Sequence, residues 1–158
     1  MKKLFLILFF VIGAMSAEAQ ELKWHTDMKE AIKVSNKTKK PLFLFFTGSD
    51  WCGWCIRLQK EVFKTKEFAE WADKNVTLVE LDFPRKTAQE LSVKQQNAQL
   101  AQTFQVRGYP TVWFANATES KDGKINFTAM GSSGYLAGGP SKWLENANTI
   151  LAAKTAKK

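Results

Sequence analysis

With 158 residues, one histidine and two cysteines, the chain lacks the four ligands that a structural zinc site takes. Its 23 basic and 15 acidic side chains give a net charge of +8, but the lysines are scattered. That spread argues against a nucleic-acid surface and for solubility with weak steering towards acidic partners.

The first nineteen residues read as an export signal. Lys2 and Lys3 form the charged start, Leu4 to Met15 the apolar stretch, and Ala17-Glu18-Ala19 an A-x-A cleavage site. Twelve apolar residues fall short of the ~20 that cross a bilayer. No cysteine lies near the cleavage site, which argues against a lipid-anchored form. A soluble periplasmic or secreted domain over residues 20–158 is expected, with no stable membrane insertion. Removing Lys2, Lys3 and Glu18 leaves 21 basic and 14 acidic side chains, a charge of +7. The remaining length suits one domain with a proper core, and no internal repeat is visible.

Trp24 to Asn36 reads as a helix, with Asp27 as N-cap and Met28, Ala31, Ile32 and Val34 on its apolar side. His25 is expected in a surface loop. A Lys-rich loop, residues 37–40, then leads to Pro41 and the run Leu42, Phe43, Leu44, Phe45, Phe46. That run is apolar on both faces and too short for a lone helix, so it reads as a buried parallel strand.

Thr47, Gly48, Ser49 and Asp50 break the strand. Cys52-Gly53-Trp54-Cys55 then opens a helix whose apolar side is Cys55, Ile56, Leu58, Val62 and Phe63. Two cysteines thus stand at a strand-to-helix junction, where unpaired N–H groups and the helix dipole favour a thiolate. In Cys-x-x-Cys motifs the thiol pKa falls from about 8.5 to roughly 3.5–7.5. Cys52 is expected to be the exposed nucleophile. Cys55, one turn on, can resolve a mixed disulfide. A metal half-site, a purely structural disulfide and inert buried thiols are the competing readings. Ligand shortage weighs against the first, the small entropy of so short a loop against the second, and flanking Trp51 and Trp54 against the third.

Thr65 caps a short helix over Lys66 to Lys74, with Phe68, Ala69 and Trp71 buried. Val76 to Phe83 is the next parallel strand, ended by Pro84. Thr87-Ala88-Gln89-Glu90 matches a capping box ahead of a Gln-rich helix carrying Leu91, Leu100, Ala101 and Phe104, with a break near Asn97. Thr111 to Ala115 is a strand, Asp122-Gly123 a hairpin turn, and Ile125 to Met130 the returning edge strand. Gly131-Ser132-Ser133-Gly134 reads as a flexible loop. Pro140 and Ser141 start a last helix with Trp143, Leu144, Ala147, Ile150 and Leu151 on one side. Residues 154–158 form a solvated tail.

WCGWC after a hydrophobic strand, together with Arg107-Gly108-Tyr109-Pro110-Thr111 before an apolar run, resembles the active site and cis-proline loop of the thioredoxin superfamily. The resemblance covers roughly residues 40 to 155. It implies an α/β thioredoxin fold, a central mixed β-sheet flanked by helices, with a helical insertion at about 84–103 before the cis-proline loop. That insertion reads equally as a rim that selects partners and as a tolerated addition. Cys52 and Cys55 become the catalytic pair. Trp51, Gly53, Trp54, Tyr109, Pro110 and Gly131 become the substrate groove, with an extended peptide pairing to the main chain at Tyr109.

The sequence departs from the family in two places. Six positions before Cys52, where thioredoxins bury an acid, stands Phe46, and the family's partner lysine falls at Leu78. Asp50, Glu61 or water is left to take the proton of Cys55. Between the cysteines, Gly53-Trp54 replaces Gly-Pro and is more similar to the Gly-Tyr of bacterial disulfide isomerases.

The resulting expectation is an exported thiol–disulfide oxidoreductase, monomeric and without a cofactor or metal. It would act on cysteine-containing client proteins and be recharged by a redox partner protein. The small charge around the pair and the lack of a dimerisation domain favour a reductase over an oxidase or isomerase. The alternative is a non-catalytic binding or holding module that uses the Trp-rich surface around an idle pair.

Overall fold

The computed structural model describes residues 22–153. The expected signal and tail lie outside the described residues. Among the described residues five α-helices and four strands follow in the order α1 (Met28–Thr38), β1 (Leu42–Thr47), α2 (Gly53–Leu58), α3 (Lys66–Asn75), β2 (Thr77–Asp82), α4 (Leu91–Thr103), β3 (Thr111–Glu119), β4 (Ile125–Ser133) and α5 (Gly139–Ala152). Between α2 and α3 the helix widens into a π-helical turn, Gln59–Phe63, where the Lys64 N–H donates to the Gln59 carbonyl at 2.9 Å.

The sheet order is β2-β1-β3-β4, with β1 parallel to β2 and antiparallel to β3, and β3 antiparallel to β4. This is the mixed sheet of the thioredoxin fold. Every residue of β1 is buried because helices cover both faces. Phe43 and Phe45 point to one side, where they pack with Leu58, Val62, Phe63, Phe68, Phe114 and Trp143 from α2, the π turn, α3, β3 and α5. Leu42, Leu44 and Phe46 point to the other, among Met28, Ile32, Leu100 and Phe104 of the α1 and α4 side. The alternation of one central strand therefore divides the core into two layers.

Several elements differ from expectation. The first helix starts at Met28, with Asp27 accepting from the Glu30 N–H at 2.8 Å, because Trp24 and His25 run extended beside β2. His25 is not a surface residue. It bridges Val79, donating to the Leu78 carbonyl at 2.9 Å and accepting from the Glu80 N–H at 2.8 Å, and is 5% exposed. Ile56 of α2 is half exposed, since the inward side of that helix is taken by Cys55 and Leu58.

The capping box does not form. Thr87 turns to Asp50, and Glu90 precedes α4 with no side-chain cap. Helix α4 runs unbroken through Asn97, which is buried and donates to the Asp82 carbonyl at 2.9 Å. Neighbouring Gln96 accepts from the Met28 N–H at 2.8 Å and donates to the Thr26 carbonyl at 2.9 Å, so the glutamine-rich stretch stitches α4 to the start of α1. Leu91 lies exposed, whereas Leu100 and Phe104 are core. The stretch read as an insertion is thus in part a covering layer of the sheet.

The Asp122-Gly123 turn closes the hairpin through Ser120 and Lys124, with Gly123 at φ 78°. Both hairpin strands outrun their expected lengths, β3 to Glu119 and β4 to Ser133. Gly131 is consequently not in a loop. It pairs with Phe114, next to a bulge that accommodates Met130, and a Cβ there would lie 2.8 Å from Ile150 of α5. The glycine seats α5 on the strand. Gly134 is the residue that comes close to the Pro110 carbonyl.

Candidate active site

β1 ends at Thr47, and a tight turn carries the chain to Cys52. The Trp51 and Cys52 N–H groups both donate to the Gly48 carbonyl, at 3.3 and 2.9 Å. Gly48 is required by sterics, since a Cβ there would sit 2.4 Å from the Trp51 ring. Cys52 is the N-cap of α2 and is joined to Cys55 by a disulfide with an S–S distance of 2.10 Å. The Cys52 sulfur also accepts the Cys55 N–H at 3.2 Å. A sulfur at this position meets one of the unpaired amides of a first helical turn, the arrangement that lowers a thiol pKa.

Both cysteines belong to the core cluster of Phe43, Phe45 and Trp143. Cys52 is 6% exposed and Cys55 0%, so the expected exposed nucleophile is nearly covered in the disulfide form. The order of access is nonetheless the expected one, because Cys52 alone keeps an opening to solvent.

Aromatic side chains frame that opening. Trp51 donates its Nε1–H to the Phe83 carbonyl at 2.7 Å and meets Tyr109 edge to face at 5.7 Å. Tyr109 packs at a tilt against Phe83, centroids 5.2 Å apart, and burial holds its hydroxyl above the ordinary range. The Tyr109–Pro110 peptide bond is cis. Trp54, 55% exposed, leans on Tyr135 at 5.0 Å. Trp51, Gly53 and Trp54 thus flank or separate the cysteines in the chain, Trp51 and Tyr109 pack against the cluster that holds them, and Gly131 lies in β4 opposite Phe114.

Sequence reasoning missed the polar groups that hold this frame. Asp50 accepts the N–H groups of Arg85, Lys86 and Thr87 at 3.0, 2.7 and 3.0 Å, and the Arg85 bond leads in pulling its carboxyl below the usual range. Asp82 accepts the Ser49 N–H and hydroxyl at 2.8 and 2.6 Å. Glu61 accepts from the Tyr135 hydroxyl and from Arg57 Nε, each at 2.7 Å, and Arg57 lies over the rings of Trp54 and Tyr135. The Tyr135 bond is the larger cause of the lowered Glu61 pKa, and the same bond raises that of Tyr135. Asp50 and Glu61, considered as proton acceptors for Cys55, are both engaged in these structural bonds.

The strand register also shows where the positions that depart from the family pattern lie. Phe46 faces the α1 and α4 side, away from the cysteines, and its partner on β2 is Leu81 rather than Leu78. Phe45 is the residue on the cysteine side. Across from it stands Glu80, on the face that Leu78 also uses. Burial, then the adjacent Asp82 charge, raise the Glu80 pKa above its ordinary 4.5.

A carboxyl raised in the folded state gives stability that is fully present below 4.5 and lost as pH rises through the folded value. Glu80→Gln should therefore raise the melting temperature at pH 7 and leave it unchanged well below 4.5. Thermal melts at the two pH values check this. An equal effect at both would mean that ionisation is not what destabilises the wild type.

Among the described residues, no group of three or more His, Cys, Asp or Glu side chains could hold a metal ion. Residues 28–130 match the family model of the Thioredoxin-like domain. Disulfide bond reductase DsbH of Chlamydia pneumoniae is 35% identical over 119 residues, covering 75% of this chain and 71% of that protein. Thioredoxin-related protein DsbJ of the same organism is 31% identical over 98 residues, covering 62% of this chain and 28% of that protein's length. The solved structure of a DsbH oxidoreductase superposes with a TM-score of 0.72 at 33% identity, covering 83% of this chain and 85% of that one. A thioredoxin from Thermus thermophilus, at 15% identity and a TM-score of 0.57, shares the fold over 82% of this chain and 87% of its own. On its fold, its Cys-x-x-Cys pair and these matches, the chain belongs to the thioredoxin-like family.

Proposed function

We propose that this protein is an exported thiol–disulfide oxidoreductase that reduces disulfides of envelope or secreted proteins through Cys52 and Cys55. The observation that carries this reading is a Cys52–Cys55 disulfide whose Cys52 sulfur accepts an amide of the first turn of α2. In the dithiol form that amide stabilises the Cys52 thiolate. The thiolate attacks one sulfur of a client disulfide, forming a mixed disulfide and expelling the other client sulfur as thiolate. Cys55 then loses its proton to water and attacks the Cys52 sulfur, which restores the internal disulfide and frees the second client thiolate. Two electrons pass to the client, and a dithiol partner protein returns them.

The A-x-A pattern at Ala17-Glu18-Ala19 supports export, and among the described residues no helix is long and apolar enough to cross a membrane. The name of the DsbH relative, a disulfide bond reductase, supports the reducing direction. Exposed Trp54 and Ile56 supply an apolar landing surface beside the sulfurs, which a client segment would cover during exchange.

The test is the equilibrium reduction potential, titrated against dithiothreitol and read from tryptophan fluorescence. A value near about −270 mV is the expected result for an electron donor. One between about −180 and −120 mV would make the protein an isomerase or oxidant and overturn the direction.

A further inference from the structure

A disulfide reductase of this kind leaves the chemistry of its client open. Resting on that proposed function, we propose that Arg85 selects clients carrying an acidic residue beside the disulfide-bonded cysteine.

The Arg85 guanidinium lies over the Trp51 ring, 3.6 Å from its centroid. Neither partner is loosely placed. The ring is tied by its Nε1–H to Phe83 and braced by Tyr109, and the backbone under Arg85 is tied to Asp50 by three successive N–H groups. A cation is thus fixed beside the residue that precedes the nucleophile.

Among the described residues no carboxylate pairs with the Arg85 guanidinium. Asp50, which accepts the backbone amides of residues 85–87 and is held ionised by them, offsets part of the local field without binding the guanidinium. The other arginine at the opening differs. Arg57 lies against Trp54 and Tyr135, but its Nε is bound to Glu61, so its guanidinium already has a carboxylate. Lys86 and Arg107, both exposed, also enter no ion pair among the described residues. The two arginines at the mouth therefore differ: Arg57 is already bound to Glu61, whereas Arg85 has no carboxylate partner among the described residues.

A guanidinium stacked by one face keeps its edge donors for a planar acceptor, and a carboxylate fits that fork with two parallel bonds. An extended client places successive residues about 3.3 Å apart. With its cysteine at Cys52, a near neighbour of that cysteine comes to Trp51 and Arg85. An Asp or Glu there finds a prepared partner, whereas a Lys there meets like charge.

Turnover with dithiothreitol on three disulfide-linked peptides, identical except for Asp, Asn or Lys beside the cysteine, tests this. Wild type should reduce the Asp peptide with a kcat/KM about fivefold above the Lys peptide at low salt, and the ratio should shrink as salt is added. In Arg85→Gln the ratio should fall to near one, and in Arg85→Lys it should be intermediate, because charge remains without the fork. Taking the ratio within each protein removes any general change in activity. Equal rates on Asp and Lys peptides in wild type, or a full preference kept by Arg85→Gln, would overturn the proposal and leave the oxidoreductase standing. Failure of wild type to reduce any of the peptides or the neutral bis(2-hydroxyethyl) disulfide would instead sink the oxidoreductase and this proposal with it.

Discussion

Cys52→Ser should abolish disulfide exchange, and Cys55→Ser should leave a protein that attacks once and stays bound to its client. The asymmetry comes from access. Cys55 is sealed beneath the first turn of α2, so no client disulfide reaches it, while Cys52 sits at the helix cap with an opening to solvent. Replacing the Cys52 sulfur with oxygen removes the only sulfur that an incoming disulfide can meet. Replacing Cys55 keeps the attack and removes the intramolecular step that ends it. Turnover of a model disulfide and a non-reducing gel with a client read the two effects directly. A Cys52→Ser protein that reduced the disulfide at the wild-type rate would show that the nucleophile is misassigned, and a Cys55→Ser protein that accumulated no adduct would show that resolution does not run through Cys55.

Trp143→Ala should cost about 3–5 kcal/mol of stability, the range for deleting a large aromatic from a core. Against a domain's total of about 5–15 kcal/mol, that leaves the fold marginal or lost. Trp143 is fully buried where α5 crosses the sheet, with ring centroids of Phe63 at 5.3 Å, Phe43 at 5.7 Å and Phe68 at 6.1 Å. It also donates its Nε1–H to the Gly134 carbonyl at 3.0 Å, so the same side chain anchors the stretch that passes beside Pro110. Trp143→Phe keeps most of the packing and leaves that carbonyl only the long Ser133 hydroxyl contact at 3.5 Å, for a loss of about 1–3 kcal/mol. Urea unfolding midpoints would rank the two. A loss under about 1 kcal/mol for the alanine variant would mean that the cluster repacks freely.

How much is legible in the sequence depends on how local each signal is. The run from Leu42 to Phe46 and the cysteines after it carry their strand, turn and helix within a few residues of chain. Asp27 and Thr65 are recognisable as caps because a cap needs only its own N3 amide. Thr87 carries the same kind of signal and misleads, because a carboxylate 37 positions away, Asp50, offers its hydroxyl and amide a competing partner. Glu80 and Phe45 escape notice for a related reason. Counting residues back from a cysteine gives a position, but only the strand register says which face that position occupies. The pairing of Arg85 with Trp51, and of Tyr135 with Glu61, joins segments that nothing in their own sequences connects.

Placing the reactive sulfurs inside a core cluster, rather than on a detached loop, ties the redox equilibrium to folding by a thermodynamic cycle. The native and unfolded chains each have their own equilibrium for opening the pair, and the difference between them equals the difference in stability between disulfide and dithiol proteins. With about 30 mV corresponding to about 1.4 kcal/mol for two electrons, comparing the melting of the two forms measures by calorimetry what a thiol titration measures by chemistry. Any core substitution that favours one form over the other, near the sulfurs or across the cluster, is then also a setting of the potential.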